Sequence, residues 1–243
     1  MIEIENAEVM GWEAAIRGMR NPMNSWEKSD SSFGCINVES CSMCPYNGDE
    51  CLSGKDIECI NLGPNDFNLM KKLCNAGADH RKFMRMITVY LDITAPLYWW
   101  KEFDTYKVGT VANSCSTMHK IAEKEFTIDD FSTEHLSAIS MKSFEKLIEY
   151  IEALRTAYLS AKDGDNYAGM SKKDIWWQLI QLLPSSYNQR RTVMLNYEVL
   201  ANIYKSRRNH KLDEWVDFCE WIEGLPYSEL ITGLLDGDDT DES

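Results

Sequence analysis

Between Ile87 and Ile93 the sequence Ile-Thr-Val-Tyr-Leu-Asp-Ile places an apolar side chain at every second position, the period of a strand with one buried face. On either side of it the period becomes helical. Phe67, Met70, Leu73 and Cys74 recur at three- and four-residue steps before it, in a stretch that opens at Asp66 and stops at a C-capping Gly77. After it, Phe144, Leu147, Ile148, Ile151, Leu154 and Tyr158 form one apolar face, and Leu212, Trp215, Val216, Cys219 and Ile222 form another. A strand that must cover one face, set among helices that must each bury a stripe, implies an α/β (α+β) fold: a mixed sheet with flanking helices. Ile2-Glu-Ile-Glu reads as a further half-buried strand, and Trp12, Ile16 and Met19 mark a helix from Trp12 to Arg20 that brings Arg17 and Arg20 onto neighbouring parts of its surface. Asp79 is placed to cap a short helix running through His80, Arg81 and Arg85, and Pro96 suits the first turn of the next one.

With 243 residues, 44% of them hydrophobic, and no Pro/Gly/Ser-rich linker, the chain is expected to form a single domain over residues 1–235. Its formal charge of −14 and pI near 4.7 oppose a nucleic-acid surface, which needs clustered Lys and Arg. No apolar run approaches the roughly 20 residues that a bilayer span requires, and the N-terminal residues lack a secretory pattern, so the expectation is a cytoplasmic protein with no membrane partner. Residues 236–243 form an acidic tail expected to be disordered.

The eight cysteines of a reducing compartment read as metal ligands or buried thiols. Five lie in residues 31–60, a stretch without periodicity that reads as a small inserted lobe. There, Cys41 and Cys44 form a close pair for one tetrahedral ion, and Cys35, Cys51 and Cys59 supply further thiolates. Structural zinc is the leading reading; an iron–sulfur cluster and unliganded thiols are the others.

Chemistry concentrates toward the C-terminal half. Leu183-Pro184 is followed by a polar run ending in Arg190-Arg191, then by Asn196 thirteen residues after Leu183 and Arg207 eleven after that. Arg81, Arg85, Lys107, His119, Arg190, Arg191 and Arg207 stand near polar turns in an otherwise acidic chain, and arginine's planar fork suits phosphate and pyrimidine carbonyl oxygens. The plainer readings are solvated arginines at a turn for Arg190 and Arg191, and a C-terminal helix charge for Arg207. Asn113, Ser116 and Thr117 could line a phosphate or flavin turn, or cap the helix that follows. His80 and His119 could contact phosphate or be structural histidines. The loop from Arg17 to Asp30 reads as a wall of the ligand site or as a polar surface loop, and Trp99-Trp100 and Trp176-Trp177 as packing residues.

The spacing of Leu183-Pro184, Asn196 and Arg207, with Asn113-Ser114-Cys115-Ser116-Thr117-Met118-His119 upstream, resembles the nucleotide-binding end of the flavin-dependent thymidylate synthases, in the form of a diverged, phage-type member. The resemblance covers about Gly77 to Trp215. It implies a homotetramer of α/β subunits that binds FAD and the pyrimidine nucleotide dUMP, transfers a methylene group from folate to C5, and reduces it with a flavin hydride derived from NADPH, without a protein nucleophile. On that likeness Arg207 is the catalytic residue that orients the pyrimidine. Asn196, Arg190, Arg191 and Ser116 join it as substrate-binding residues, and Lys107, Asn113, Ser116 and His80 contact the cofactor.

Three departures stand out. Tyr106-Lys107-Val108 occupies the place of the arginine-histidine-arginine that grips flavin in that family, Met118 that of a phosphate-binding arginine, and Glu198 that of another. A carboxylate at 198 would repel phosphate, with Lys107, Arg81 and the Arg17/Arg20 pair as replacement cations. The alternative to an enzyme is a non-catalytic protein on the same fold that sequesters a nucleotide or docks on a host protein, as in phage counter-defence.

Overall fold

The computed structural model describes residues 1–33, 60–116, 120–162 and 168–233. In chain order the elements are β1 (Glu3–Met10), α1 (Trp12–Arg20), β2 (Ser32–Phe33), β3 (Ile60–Asn61), α2 (Pro64–Asn75), β4 (Thr88–Pro96), α3 (Leu97–Phe103), β5 (Val111–Ser114), α4 (Ala138–Ser160), α5 (Lys172–Leu182), β6 (Asn188–Asn196), α6 (Tyr197–Arg207), α7 (Asp213–Glu223) and α8 (Glu229–Thr232), with short 3-10 turns including Lys82–Met86. Four strands form one sheet in the order β1-β4-β6-β5, and β2 and β3 pair antiparallel with Ser32 opposite Asn61 and Phe33 opposite Ile60. The two central strands, β4 and β6, run in opposite directions. The residue after β4, Leu97, donates its N–H to the Tyr187 carbonyl at 3.0 Å, and the residue after β6, Tyr197, donates to the Ile87 carbonyl at 3.1 Å. The protein is thus a mixed α/β chain with an antiparallel sheet and flanking helices.

The chain divides into two compact units, the first drawn from Met1–Glu3, Ile93–Thr105 and Asn113–Thr192 and the second from Ile4–Asp92, Tyr106–Ala112 and Val193–Ser243. In the first, α4 and α5 pack through Ile148, Ile151 and Leu154 against Ile175 and Leu179, with Phe126 and Phe131 closing the cluster. Each helix begins on a serine. Ser137 accepts the Ser140 N–H, and Ser171 and Asp174 form a reciprocal capping box. Helix α3, set directly after Pro96, buries Trp99, Trp100 and Phe103, whose Trp99 and Phe103 rings stack at 5.0 Å.

In the second unit the core gathers Trp12, Met70, Met84, Trp215 and Phe218, and the Trp12 ring meets Tyr197 edge-on at 5.3 Å. The turn into α1 requires glycine: Gly11 has φ 90°, and a Cβ there would stand 2.0 Å from the Met86 carbonyl oxygen.

Arg20 does not lie on the surface as the sequence suggested. Its side chain is buried, with Nε 2.6 Å from Asp66 Oδ1 and the rest of the guanidinium bonded to the Ser25 carbonyl and hydroxyl and the Lys28 carbonyl. Asp66 Oδ2 in turn accepts from the Ser29 hydroxyl, from the Asp30 and Ser31 N–H groups and from the Ser31 hydroxyl. The polar loop after α1 is therefore shaped from inside by one buried ion pair, and Arg20 is withdrawn from the cations available to a ligand. Asp79 likewise does not cap a helix: Arg81 holds the capping position of the 3-10 turn without a side-chain bond, and His80 and Arg81 donate their N–H groups back to the Gly77 carbonyl.

Cys35, Cys41, Cys44, Cys51 and Cys59, together with Thr117, Met118, His119 and the tail 236–243, lie outside the described residues. Among the described residues, no group of three or more His, Cys, Asp or Glu side chains is placed to hold a metal ion, and no helix is long and apolar enough to cross a membrane.

Candidate functional site

In the second unit the predicted residues gather along α6. Asn196 precedes its first residue and Arg207 is its last, so an 11-residue helix, about 16 Å long at 1.5 Å per residue, separates them. Asn196 is buried, and its side-chain oxygen accepts the Val199 N–H at 3.1 Å as the helix N-cap. The same side chain meets the segment that carries Lys107. At Gly109, with φ 78°, a Cβ would lie 2.9 Å from Asn196 Nδ2 and 3.3 Å from a Val199 methyl, so only glycine lets the backbone come this close. Three residues earlier, the Tyr106 hydroxyl accepts from Arg207 Nε at 3.0 Å. The Tyr106–Gly109 segment thus touches both ends of α6, and Lys107 lies exposed between those contacts.

Arg207 is half-buried. Its guanidinium lies 4.9 Å over the ring of the fully buried Trp215 and 5.8 Å from that of Tyr106, and its Nη1 is 3.0 Å from His210 Nε2. A cation held over two aromatic rings loses little freedom on meeting a ligand and keeps its charge in a partly desolvated setting. Reading the sequence missed these three partners. Trp215 counted there only as core, Tyr106 as a departure, and His210, one turn beyond Arg207, carried the only local signal.

At the first turn of α6, Glu198 is 13% exposed at its side chain and faces both Arg85, which binds it with two nitrogens, and Arg81, whose Nε is 3.6 Å from Oε1. The hydrogen bond and charge of Glu198 push the Arg85 pKa up from its ordinary value. Glu198, read from the sequence as repelling phosphate with Arg81 among the replacement cations, is thus paired with both Arg81 and Arg85, and the Asp79 charge also acts on Arg85. His80 is exposed in the turn leading to this pair.

The first unit holds the other predicted residues. Cys115 donates its N–H to the Arg190 carbonyl at 3.4 Å and receives the Gln189 side-chain N–H on its own carbonyl at 3.1 Å, which places Asn113 and Ser116 beside β6. Asn113 and Ser116 are exposed. Arg190 and Arg191 point to opposite faces of the strand, as the two-residue period requires. Arg190 is exposed, whereas Arg191 lies 4.2 Å over the Trp100 ring, with Nη1 2.8 Å from Asp104 and Nε 2.9 Å from Gln189 Oε1.

Two solved structures of Helicobacter pylori Thymidylate Synthase X (ThyX), each with FAD and dUMP, align with this chain over nearly its whole length. One gives a TM-score of 0.60 at 14% identity over 97% of this chain and 100% of that one, the other 0.58 at 14% over 96% and 98%. The chain has a ThyX-like fold. In sequence it matches no family model and no curated protein. A ThyX-like fold at 14% identity rests on the shared course of the chain, so each residue role has to come from the chemistry of the positions described above.

Proposed function

We propose that this chain is a diverged thymidylate synthase of the ThyX kind, which binds a dUMP-like pyrimidine nucleotide and FAD and serves methylation at the pyrimidine C5. The observation that carries this reading is the setting of Arg207, half-buried and held by Tyr106, Trp215 and His210 at the end of α6. In that setting it orients the pyrimidine. Asn196, Arg190, Arg191 and Ser116 are the further substrate-binding residues, and Arg81 and Arg85 offset the Glu198 charge.

The residues present suit a flavin. Lys107 is exposed, Asn113 and Ser116 present small polar groups, and the Thr110 hydroxyl is buried without a hydrogen-bond partner, which leaves it a bond to give. Lys107, Asn113, Ser116 and His80 are the proposed cofactor contacts. When bound, the flavin supplies the hydride; the chain supplies binding, orientation and charge. A homotetramer, a cytoplasmic setting and a structural zinc on Cys35, Cys41, Cys44, Cys51 and Cys59 complete the proposal.

Flavin absorption of the purified protein, together with calorimetric titration by dUMP, tests it. A yellow protein that binds dUMP supports the enzyme. One observation favours a second reading: Tyr106 and Val108 replace two flavin-gripping arginines, Tyr106 is engaged with Arg207, and Val108 is 90% exposed. A colourless protein that still binds dUMP would therefore be a nucleotide sequesterer on the same fold, and one that binds neither a host-protein ligand of the counter-defence type.

A further inference from the structure

Gln189 is buried on the face of β6 to which Arg191, Val193 and Leu195 also belong by the two-residue period of the strand. Val193 and Leu195 fill that face with apolar side chains, which is all that packing requires. At Gln189 and Arg191 the same face carries a polar network instead, all of it within the first unit. The Trp100 Nε1–H donates to the Gln189 carbonyl at 2.8 Å, and the Arg191 guanidinium lies 4.2 Å over the same Trp100 ring with Nη1 2.8 Å from Asp104 Oδ1. Arg191 Nε then donates to Gln189 Oε1 at 2.9 Å. A guanidinium can only donate, so the amide has one orientation: its oxygen faces Arg191, and its Nε2 donates to the Cys115 carbonyl at 3.1 Å. The Cys115 N–H is held as well, by the Arg190 carbonyl at 3.4 Å. The residue after β5 is therefore tied to β6 on both sides of its Cα. Because a peptide unit is planar, fixing the Cys115 carbonyl also fixes the plane of the bond that leads into Ser116.

We propose that Gln189 is a positioning residue whose Nε2–H sets the Cys115–Ser116 peptide and, with it, the place where Ser116 meets the ligand. The inference rests on the reading above, in which Ser116 contacts nucleotide and cofactor, and adds the group that places it. Asp104 and Trp100 aim Arg191, Arg191 orients the Gln189 amide, and the amide passes the bond to a backbone carbonyl that no apolar side chain could hold. A buried polar network of this kind specifies one geometry, which apolar packing at the same position would not do.

The test compares the full chain with Gln189→Glu, which keeps the length of the side chain and the bond to Arg191 but sets a carboxylate oxygen against the Cys115 carbonyl. Proton–nitrogen NMR reads the Ser116 amide, and calorimetry reads the binding of dUMP and of FAD, titrated separately. The variant is expected to move the Ser116 amide resonance and to weaken whichever ligand the wild type binds by about three- to tenfold, the span of one net hydrogen bond. Ile175→Val removes one methylene from the α4–α5 core of the same unit, outside this chain of bonds, and should leave both readouts unchanged. If Gln189→Glu does not fold, Gln189→Met, apolar like Val193 and Leu195, removes the same donor and carries the same expectation. An unmoved Ser116 amide, wild-type affinity for dUMP in the variant, or equal weakening by Ile175→Val overturns the inference while the nucleotide reading stands. Weakened FAD binding in a protein that does not bind dUMP keeps the positioning role and removes the nucleotide reading. If the wild type binds neither ligand, both are removed.

Discussion

Replacing Asp66 with asparagine keeps the size of the side chain and removes its charge at a fully buried position. Oδ2 accepts four hydrogen bonds, at 2.7 Å from Ser29 Oγ, 3.2 Å from Asp30 N, 3.1 Å from Ser31 N and 2.7 Å from Ser31 Oγ, while Oδ1 accepts from Arg20 Nε at 2.6 Å. An amide has one oxygen, so its NH2 must face either Arg20 or the serine cluster, donor against donor, and the buried Arg20 charge is left without its counter-ion. Breaking a buried pair from one side costs about 3–5 kcal/mol. For a chain of this length that lowers the melting temperature by roughly 6–20 °C. Burial pushes the Asp66 carboxyl up, but the bonds from Ser31, Ser29 and Arg20 and the Arg20 charge outweigh it and hold the pKa below the usual carboxylate value. A depressed pKa contributes stability above the unfolded-state value, near pH 4, which is lost as pH falls through the folded-state value. Urea denaturation of wild type and Asp66→Asn should therefore show the full gap at pH 7 and a shrinking one below about pH 4. A gap under about 1 kcal/mol at pH 7, or one that widens on acidification, would refute the reasoning.

Other outcomes follow from particular contacts. Gly109→Ala forces a side chain into positive φ and against Asn196 Nδ2, so it should cost about 1–3 kcal/mol in thermal denaturation and weaken dUMP binding in calorimetry. Glu198→Gln removes the partner of the largely exposed Arg85; stability should change by less than about 1 kcal/mol, while dUMP binding strengthens and becomes more salt-sensitive. Burial pushes the Cys74 and Cys219 thiols up to about 12, so peptide mapping after iodoacetamide at pH 8 should find both unmodified in the native chain and the exposed Cys115 labelled. Metal analysis of the purified protein should find zinc that is lost when Cys41 and Cys44 are both changed to serine.

The helices were readable because each buries one stripe. Ile148, Ile151 and Leu154 on α4, and Trp215, Cys219 and Ile222 on α7, fall at helical spacing and pack inward, while Phe218, which the sequence reading passed over, is buried and Val216 only partly so. Strand β6 was not, because Asn188-Gln-Arg-Arg at its start is polar: Gln189 and Arg191 pack through hydrogen bonds and the Trp100 ring instead of through apolar contact. Arg20 and Asp66 did leave a signal. Arg20 follows the buried Ile16 by four residues, and Asp66 precedes the buried Met70 and Cys74 at four-residue steps, so each charge lies on an apolar stripe where only a partner could hold it. The sequence spacing set Asn196 and Arg207 apart, and the fold places them at the two ends of α6, but their partners were not legible. Tyr106 is separated from Arg207 by 101 residues, and Arg85 from Glu198 by 113, and only folding brings these pairs together.

The central claim is that Arg207 holds a pyrimidine for chemistry at C5. Tritium release from dUMP labelled at C5 measures it directly, with purified protein supplied with FAD, NADPH and the methylene-carrying folate. The account predicts release by the wild-type chain and its loss in Arg207→Ala, with the variant still folded by circular dichroism. Absence of release by a wild-type protein that has bound both FAD and dUMP, or release undiminished in Arg207→Ala, would contradict it.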